Sequence, residues 1–87
     1  MKNMVYEIQI NRAAARYLKK LDQTTRNRLQ LAFEGLKQNP PLGDIVPFKE
    51  MPGHYRLRVG SYRVIFKVNH SDRIVFIRTI GSRGNVY

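Results

Sequence analysis

The sequence predicts an α+β fold in which a helical hairpin covers one face of a mostly antiparallel sheet, in the order β-α-α-β-β-β. Hydrophobic residues alternate with a period of two near the N-terminus and again from Tyr55 onward, which is typical of half-buried strands. Between these regions, two hydrophobic stripes recur at spacings of three and four, as on amphipathic helices. A chain of 87 residues is too short for two cores, so we expect residues 1–87 to form a single domain.

The first predicted strand precedes the first predicted helix. The strand's apolar face consists of Met4, Tyr6, Ile8 and Ile10. Asn11 then offers an N-cap, because its side chain can accept from backbone N–H groups of the first helical turn. The stripe of this first helix consists of Ala14, Tyr17, Leu18 and Leu21.

A second helix follows after very few residues, so the two helices should form an antiparallel hairpin. Either Asp22 or Thr24 can cap it. Its stripe consists of Leu29, Ala32, Phe33 and Leu36. The segment Asn39-Pro40-Pro41 should end it, because proline cannot continue a helix and restricts the residue before it.

The second half of the chain contains a connection and three predicted strands. Leu42 to Gly53 is interpreted as a connection because it is interrupted by glycine and proline. Gly60-Ser61 should be a two-residue hairpin turn, and Asn69 to Asp72 a second turn. Arg73 to Ile80 is apolar on both faces, as expected for a central strand.

The composition is strongly basic. Sixteen Lys and Arg residues against six Asp and Glu residues give a net charge of +10. This excess predicts salt-sensitive binding to a polyanion, although an acidic protein partner would satisfy the charge equally well.

Several classes of site and location are not indicated by the sequence. The chain has no cysteine, which excludes disulfides and thiolate zinc sites, and its two histidines are too few for a histidine-built metal site. The N-terminus does not resemble a signal peptide, and no apolar run approaches the length of a membrane span. We therefore expect a cytoplasmic protein without a metal, small-molecule cofactor or membrane association.

Arginines gather on the sheet face that the helices leave open. If Gly60-Ser61 forms the turn, Arg58 lies directly opposite Arg63, with Arg56 two residues away on the same face. Like charges directly opposite each other across strands are destabilising, and guanidinium groups are well shaped to hold a phosphate. The pattern therefore predicts a phosphodiester-binding site, whereas the alternative is that these arginines simply extend into solvent.

The position of the next turn determines which further residues share the open face with these arginines. If His70-Ser71 closes the second hairpin, Arg63 lies opposite Arg78, and Ile65 and Lys67 share the same face. Arg78 and Lys67 would then be further candidates for nucleic-acid contacts. A register shift of one residue would move a cluster to the other face.

Two further candidates lie outside the regular strands. Arg83 and Tyr87 belong to a glycine-containing tail that could fold back beside the arginines, although composition alone is more typical of a frayed terminus. His54 just precedes a strand and could reach its open end, although a solvated turn residue is the simpler interpretation.

Taken together, the order of elements and three segments resemble the RelE toxins of bacterial and archaeal toxin–antitoxin systems. The segments are Met51-Pro52-Gly53-His54-Tyr55-Arg56-Leu57-Arg58, Gly60-Ser61-Tyr62-Arg63-Val64-Ile65-Phe66 and Gly81-Ser82-Arg83-Gly84-Asn85-Val86-Tyr87. The resemblance implies a metal-independent mRNA interferase that cuts mRNA in the ribosomal A site by attack of a ribose 2′-hydroxyl on the adjacent phosphate. It also implies a cognate antitoxin as a partner.

The resemblance assigns roles by position. Arg56 and Arg58 match basic positions on the second strand of the family, and Arg63 would hold the scissile phosphate. Arg83 would stabilise charge or the leaving group, and Tyr87 would stack on or activate the nucleotide. Relatives often have lysines in place of the first two arginines, and arginine is a poor general base. The base thus stays open among Tyr87, His54 and a water molecule.

Two other functions remain compatible with the sequence. One is a ParE-like toxin that inhibits DNA gyrase without nuclease chemistry. The other is a non-catalytic binding module or an inactive member of the family. The full arginine and tyrosine set favours the nuclease, because a gyrase inhibitor has no need of it.

Overall fold

A computed structural model describes residues 5–82, and this range contains two helices and five strands. The helices are α1 (Arg12–Lys20) and α2 (Gln23–Leu36). The strands are β1 (Glu7–Ile10), β2 (Asp44–Pro47), β3 (Tyr55–Val59), β4 (Tyr62–Asn69) and β5 (Ile74–Ser82).

The strands form one sheet in the order β1-β5-β4-β3-β2. Strand β1 runs parallel to β5, and the other neighbouring strands are antiparallel. The predicted α+β class and mostly antiparallel sheet are therefore confirmed. The apolar character of β5 on both faces follows from its central place between β1 and β4.

The helical hairpin begins and turns where local signals predicted. Asn11 caps α1, since its Oδ1 accepts from the backbone N–H of Ala13 at 2.8 Å. The corner between the helices is closed by Arg26, whose Nη1 donates to the carbonyl of Leu21 at 2.8 Å. Asp22 occupies the N-cap position of α2, and the helix ends at Leu36, ahead of the two prolines.

The main hydrophobic core lies between the two helices and the facing side of the sheet. Its fully buried members are Leu29, Leu36, Val64, Phe66, Val75 and Ile77. Tyr6, Ile8 and Ile10 of the N-terminal segment also belong to this core or pack against it, as their alternation predicted. None of the helices within residues 5–82 is long and apolar enough to cross a membrane.

The region Leu42 to Gly53 is not merely a connection, and the sequence-based interpretation was wrong there. Asp44–Pro47 forms the edge strand β2, which pairs with β3 through Asp44↔Arg58 and Pro47↔Tyr55. Proline is compatible with an edge strand, because the N–H that it lacks would otherwise face away from the sheet. Four residues bounded by glycine and proline are too few to show a clear alternation.

The turn between β4 and β5 also differs from the expectation. Asn69 pairs with Ile74, so four residues, 70–73, connect the strands instead of His70-Ser71 alone. The Asn69 side chain accepts from the backbone N–H of Asp72 at 3.1 Å, and Arg73 adopts a left-handed conformation with φ of 56°. This side-chain-closed turn shifts the register of the two strands.

Candidate nucleic-acid interface

The β3–β4 hairpin brings Arg58 and Arg63 together on the open face, which is the sheet face opposite the helices. Val59 pairs with Tyr62 across Gly60-Ser61, and Arg58 pairs with Arg63, as predicted. Gly60 has a φ of +60°, which a two-residue hairpin with glycine in first position requires. A Cβ at this glycine would lie 2.6 Å from Nη2 of Arg28. Because the end of the flexible Arg28 side chain can move aside, the positive φ is what favours glycine here, and the length of the turn sets the register of the arginine pair.

An aspartate that sequence reasoning missed lies beside this pair. Arg58 donates from Nε to the Oδ2 of Asp44 at 3.0 Å, and its Nη2 lies 3.0 Å from the same oxygen. Both side chains are about half exposed. The carboxylate offsets part of the repulsion between the paired arginines, so the fold does not depend on a bound anion as strictly as the sequence indicated. The available signal was the apolar pair Ile45-Val46 directly after Asp44, which can form a short strand.

Within residues 5–82, the guanidinium of Arg63 has no ion pair, in contrast to that of Arg58. The residue is half-buried, and its Nε is buried without a hydrogen-bond partner among residues 5–82. A buried donor without a partner costs stability, whereas a guanidinium offers a fork of donors that fits phosphate oxygens. Because the Nε is buried, an anion at Arg63 would be held by the terminal nitrogens of the guanidinium.

Part of the open face is covered, which the sequence did not indicate. Phe48 and Ile65 are buried against each other, and Met51 packs on them, so the segment after β2 folds over this face. Arg56 pairs with Ile65 and lies beside this cover. It also lines a cleft of about 370 Å³. The other residues that line the cleft are Val46, Pro47, Phe48, Lys49 and Glu50.

Arg78 does not lie opposite Arg63, so this sequence-based prediction was wrong. Arg63 pairs with Gly81, Ile65 with Thr79 and Phe66 with Ile77. Arg78 therefore falls at a β-bulge, where one extra residue of β5 has no partner on β4. The bulge and the longer turn together displace Arg78 from the position beside Arg63.

Lys67 lies further along β4, and His54 lies directly before β3. Lys67 pairs with Phe76, and its Nζ lies 5.9 Å from the centre of that ring. Four residues separate it from Arg63, about 13 Å along a strand. The Nδ1–H of His54 donates to the carbonyl of Pro52 at 3.2 Å, whereas its Nε2 is buried without a hydrogen-bond partner among the described residues. The Nε2 atom is therefore not accessible to RNA in this conformation.

The two remaining candidates, Arg83 and Tyr87, lie outside the described residues. Strand β5 continues through Gly81 and Ser82, further than the predicted end at Ile80. Within residues 5–82, no group of three or more His, Cys, Asp or Glu side chains is arranged to hold a metal ion. Within residues 5–82, the candidate interface thus consists of Arg56, Arg58, Arg63 and Lys67, together with Asp44.

Comparisons with known proteins agree on one superfamily. Residues 8–87 match the family model of the ParE toxin of the type II toxin–antitoxin system parDE. A protein of Methanocaldococcus jannaschii described as a RelE1 toxin is 31% identical over 87 residues, and the match covers 97% of each chain.

Solved structures share the fold. The archaeal RelE–RelB complex from Pyrococcus horikoshii contains a chain with a TM-score of 0.80 and 26% identity, covering 95% of this chain and 100% of that one. In the RelB–RelE complex from Methanococcus jannaschii, the matching chain has a TM-score of 0.67 and 25% identity, covering 84% and 87%. The isolated RelE toxin of E. coli, at 21% identity and a TM-score of 0.77, shows the fold alone. With the family model matching nearly the whole chain and a relative above 30% identity along its length, this chain belongs to the RelE family of the RelE/ParE superfamily, the toxins of type II toxin–antitoxin systems.

Proposed function

We propose that this chain is a ribosome-dependent endoribonuclease that cleaves mRNA in the ribosomal A site without a metal ion. The observation that carries the proposal is the cross-strand pair of Arg58 and Arg63 on the open face. Two adjacent guanidinium groups favour a phosphate that gains negative charge in the transition state. A toxin acting on translating ribosomes works in the cytoplasm.

The proposed reaction is an internal transfer at the scissile phosphate. The 2′-oxygen of the ribose forms a bond to phosphorus, and the bond from phosphorus to the 5′-oxygen of the next nucleotide breaks. The 2′-hydroxyl proton passes to a base, and a proton is delivered to the departing oxygen. The products are a 2′,3′-cyclic phosphate and a free 5′-hydroxyl.

Arg63 holds the scissile phosphate in this proposal. Among residues 5–82 its guanidinium takes part in no ion pair, whereas Arg58 shares its guanidinium with Asp44. Arg58 therefore adds positive charge from the other side, and Arg56 and Lys67 contact the RNA backbone nearby. Arg83 stabilises the leaving group and Tyr87 stacks on or activates the nucleotide, roles supported by the resemblance of the last seven residues to the family.

The proton acceptor is a group other than the arginines, because guanidinium groups stay protonated. His54 lies four residues before Arg58, about 13 Å along the strand, and its Nε2 is buried. A proton acceptor must lie within hydrogen-bonding distance of the 2′-hydroxyl or one water away. We therefore favour Tyr87 or a water molecule as the base and leave His54 a role in binding RNA.

A cognate antitoxin is the proposed protein partner. Relatives from Pyrococcus horikoshii and Methanococcus jannaschii were solved as complexes with RelB. A net charge of +10 suits an acidic, partly disordered partner segment that becomes ordered on binding.

One experiment tests the proposal against the gyrase alternative. The purified chain is incubated with mRNA in the presence and in the absence of programmed ribosomes, and DNA gyrase supercoiling is assayed separately. We expect cleavage with ribosomes and no effect on gyrase. Inhibition of gyrase without any mRNA cleavage would overturn the proposal in favour of a ParE-like inhibitor.

A further inference from the structure

The outer face of α1 carries a second group of cations, on the side of the sheet away from the arginine pair. The group consists of Arg12, Arg16, Lys19 and Lys20. Their spacings of four, seven and eight residues place all four on one stripe of the helix, opposite the buried Ala14 and Leu18. All four are exposed, and within residues 5–82 none takes part in a salt bridge.

The fold gains little from this stripe. Like charges four residues apart on a helix repel each other, as Arg12 and Arg16 do. Arg12 is also the first residue of α1, at the positive end of the helix dipole, and the first turn contains no acidic residue. The dipole does favour Lys19 and Lys20 in the last turn. The helix dipole therefore favours the two lysines but not the two arginines.

The chemistry of the stripe fits phosphates better than a protein surface. Protein interfaces have an apolar centre, whereas a nucleic-acid backbone is held by charge without apolar contacts. Among the described residues, the large hydrophobic side chains that are exposed all lie off α1, at Val5, Leu31, Leu42, Val46 and Tyr55. From Arg12 to Lys20 the stripe extends about 12 Å along the helix axis, which gives room for several phosphates.

We propose that the outer face of α1 binds the phosphate backbone of a nucleic-acid duplex without reading its bases. The helices separate this face from the open face of the sheet, so both surfaces can contact nucleic acid at the same time. The inference goes beyond the proposed nuclease function, since it requires no cleavage. It holds or fails independently of the chemistry at Arg63.

The test measures binding of the full-length chain to a blunt 16-base-pair RNA duplex, and to a DNA duplex of the same sequence, by fluorescence anisotropy between 50 and 200 mM salt. The double variant Arg12→Gln/Arg16→Gln removes two charges from α1. Lys37→Gln/Arg73→Gln removes two charges elsewhere and is the matched control. Arg12→Lys/Arg16→Lys keeps the charge on α1. Circular dichroism checks that all variants are equally helical.

We expect the log–log salt slope of the α1 glutamine variant to be smaller by about 1.8 for two lost phosphate contacts. Its affinity should then fall about 12-fold less than that of the parent chain between 50 and 200 mM salt. The control and the lysine variant should keep the parental slope. A reduced salt slope with both duplexes would show that the face binds the phosphate backbone that RNA and DNA share. A reduced slope with the RNA duplex alone would show that the face is specific for RNA.

Three results would overturn the inference. One is an unchanged salt slope in the α1 glutamine variant. Another is an equal reduction of the slope in the control variant, which would show that only the net charge of the protein matters. The third comes from polyglutamate, used as a probe for an acidic protein. If the α1 variant lost polyglutamate binding but kept duplex binding, the face would belong to a protein partner instead.

Discussion

Arg58 and Arg63 lie directly opposite each other on β3 and β4, and the carboxylate of Asp44 contacts the first of them from the neighbouring edge strand. The pair is therefore asymmetric. Arg58 is partly neutralised within the protein, whereas Nε of Arg63 has no partner among residues 5–82. This asymmetry gives the two arginines different expected behaviour in mutagenesis.

Replacing Arg63 should reduce catalysis without unfolding the protein. We expect Arg63→Gln to lower the rate of mRNA cleavage on programmed ribosomes by about 10²- to 10³-fold, the effect of removing one preorganised charge-stabilising donor. Single-turnover kinetics with saturating enzyme measure the rate, and thermal unfolding checks the fold. Arg73→Gln, in the exposed β4–β5 turn, is the control and should keep the parental rate. A parental rate in Arg63→Gln would contradict the role of Arg63.

Neutralising Asp44 should have opposite effects on stability and RNA binding. Asp44→Asn should lower the free energy of unfolding by about 0.2–1 kcal/mol, because the ion pair with Arg58 is exposed. It should also lower the Kd for an RNA that carries a 2′-deoxy group at the scissile position, because the Arg58 guanidinium is released. Urea unfolding and anisotropy titrations measure the two quantities.

The matched control for Asp44→Asn is Glu34→Gln, which removes the same charge from the ion pair between Glu34 on α2 and Lys37 at its C-cap. It should leave the Kd for this RNA closer to the parental value than Asp44→Asn does. Weaker RNA binding by Asp44→Asn would mean that Asp44 positions Arg58 for the RNA instead of competing with it.

The small apolar cluster on the open face should contribute less stability than the main core. Phe66 is completely buried in the main core, so Phe66→Ala should cost about 3–5 kcal/mol. Phe48 packs in the smaller cluster with Ile65 and Met51, so Phe48→Ala should cost clearly less. Urea unfolding compares the two variants. Equal losses would show that the segment over the open face folds as one unit with the main core.

Acidification should weaken the start of α2. A hydrogen bond from the Thr25 hydroxyl lowers the pKa of Asp22 below the ordinary value of 3.8. A carboxyl group with a lowered pKa in the folded state stabilises the fold above its unfolded pKa, and this contribution is lost as the pH falls through the folded pKa. Asparagine is an equally good N-cap residue but does not titrate. The Tm of Asp22→Asn should therefore fall less than that of the parent between pH 5 and pH 2.

The comparison between the parent chain and Asp22→Asn carries the test, because it isolates the contribution of the Asp22 carboxyl group. Thr25→Val is the control, since it removes the hydroxyl and leaves the carboxyl. It should show a smaller acid-dependent loss than the parent chain. Identical pH profiles of Tm in all three chains would show that the bond between Thr25 and Asp22 does not contribute in solution.

Local patterns predicted most of the elements because they depend on neighbours within a few residues. The spacing of Ala14 and Leu18 predicted the buried stripe of α1, and Asn11 predicted its start. The two-residue turn at Gly60-Ser61 predicted the pairing of Arg58 with Arg63, since turn length sets the register of a hairpin. These parts of the site could be derived before any tertiary contact was known.

The errors arose where residues distant in sequence decide the outcome. Strand β2 exists because β3 offers an edge to pair with, and its four residues do not predict it alone. Arg78 does not pair with Arg63 because the four-residue turn and the bulge in β5 each shift the pairing of β4 with β5. Neither feature produces a periodic pattern in the sequence. Arg83 and Tyr87 lie outside the described residues, so their roles stay predictions from the resemblance.

By itself, the sequence determined that this chain is basic, that a helical hairpin covers one face of its sheet, and that two arginines face each other on the other side. Charge, hydrophobic period and turn length are local properties, so they can be read along the chain. Only the tertiary structure decided that Asp44 neutralises Arg58, that Phe48 covers part of the open face, and that Arg78 lies apart. Each of these depends on which strand edge and which face a distant segment meets, and that is settled by burial and pairing across the whole fold.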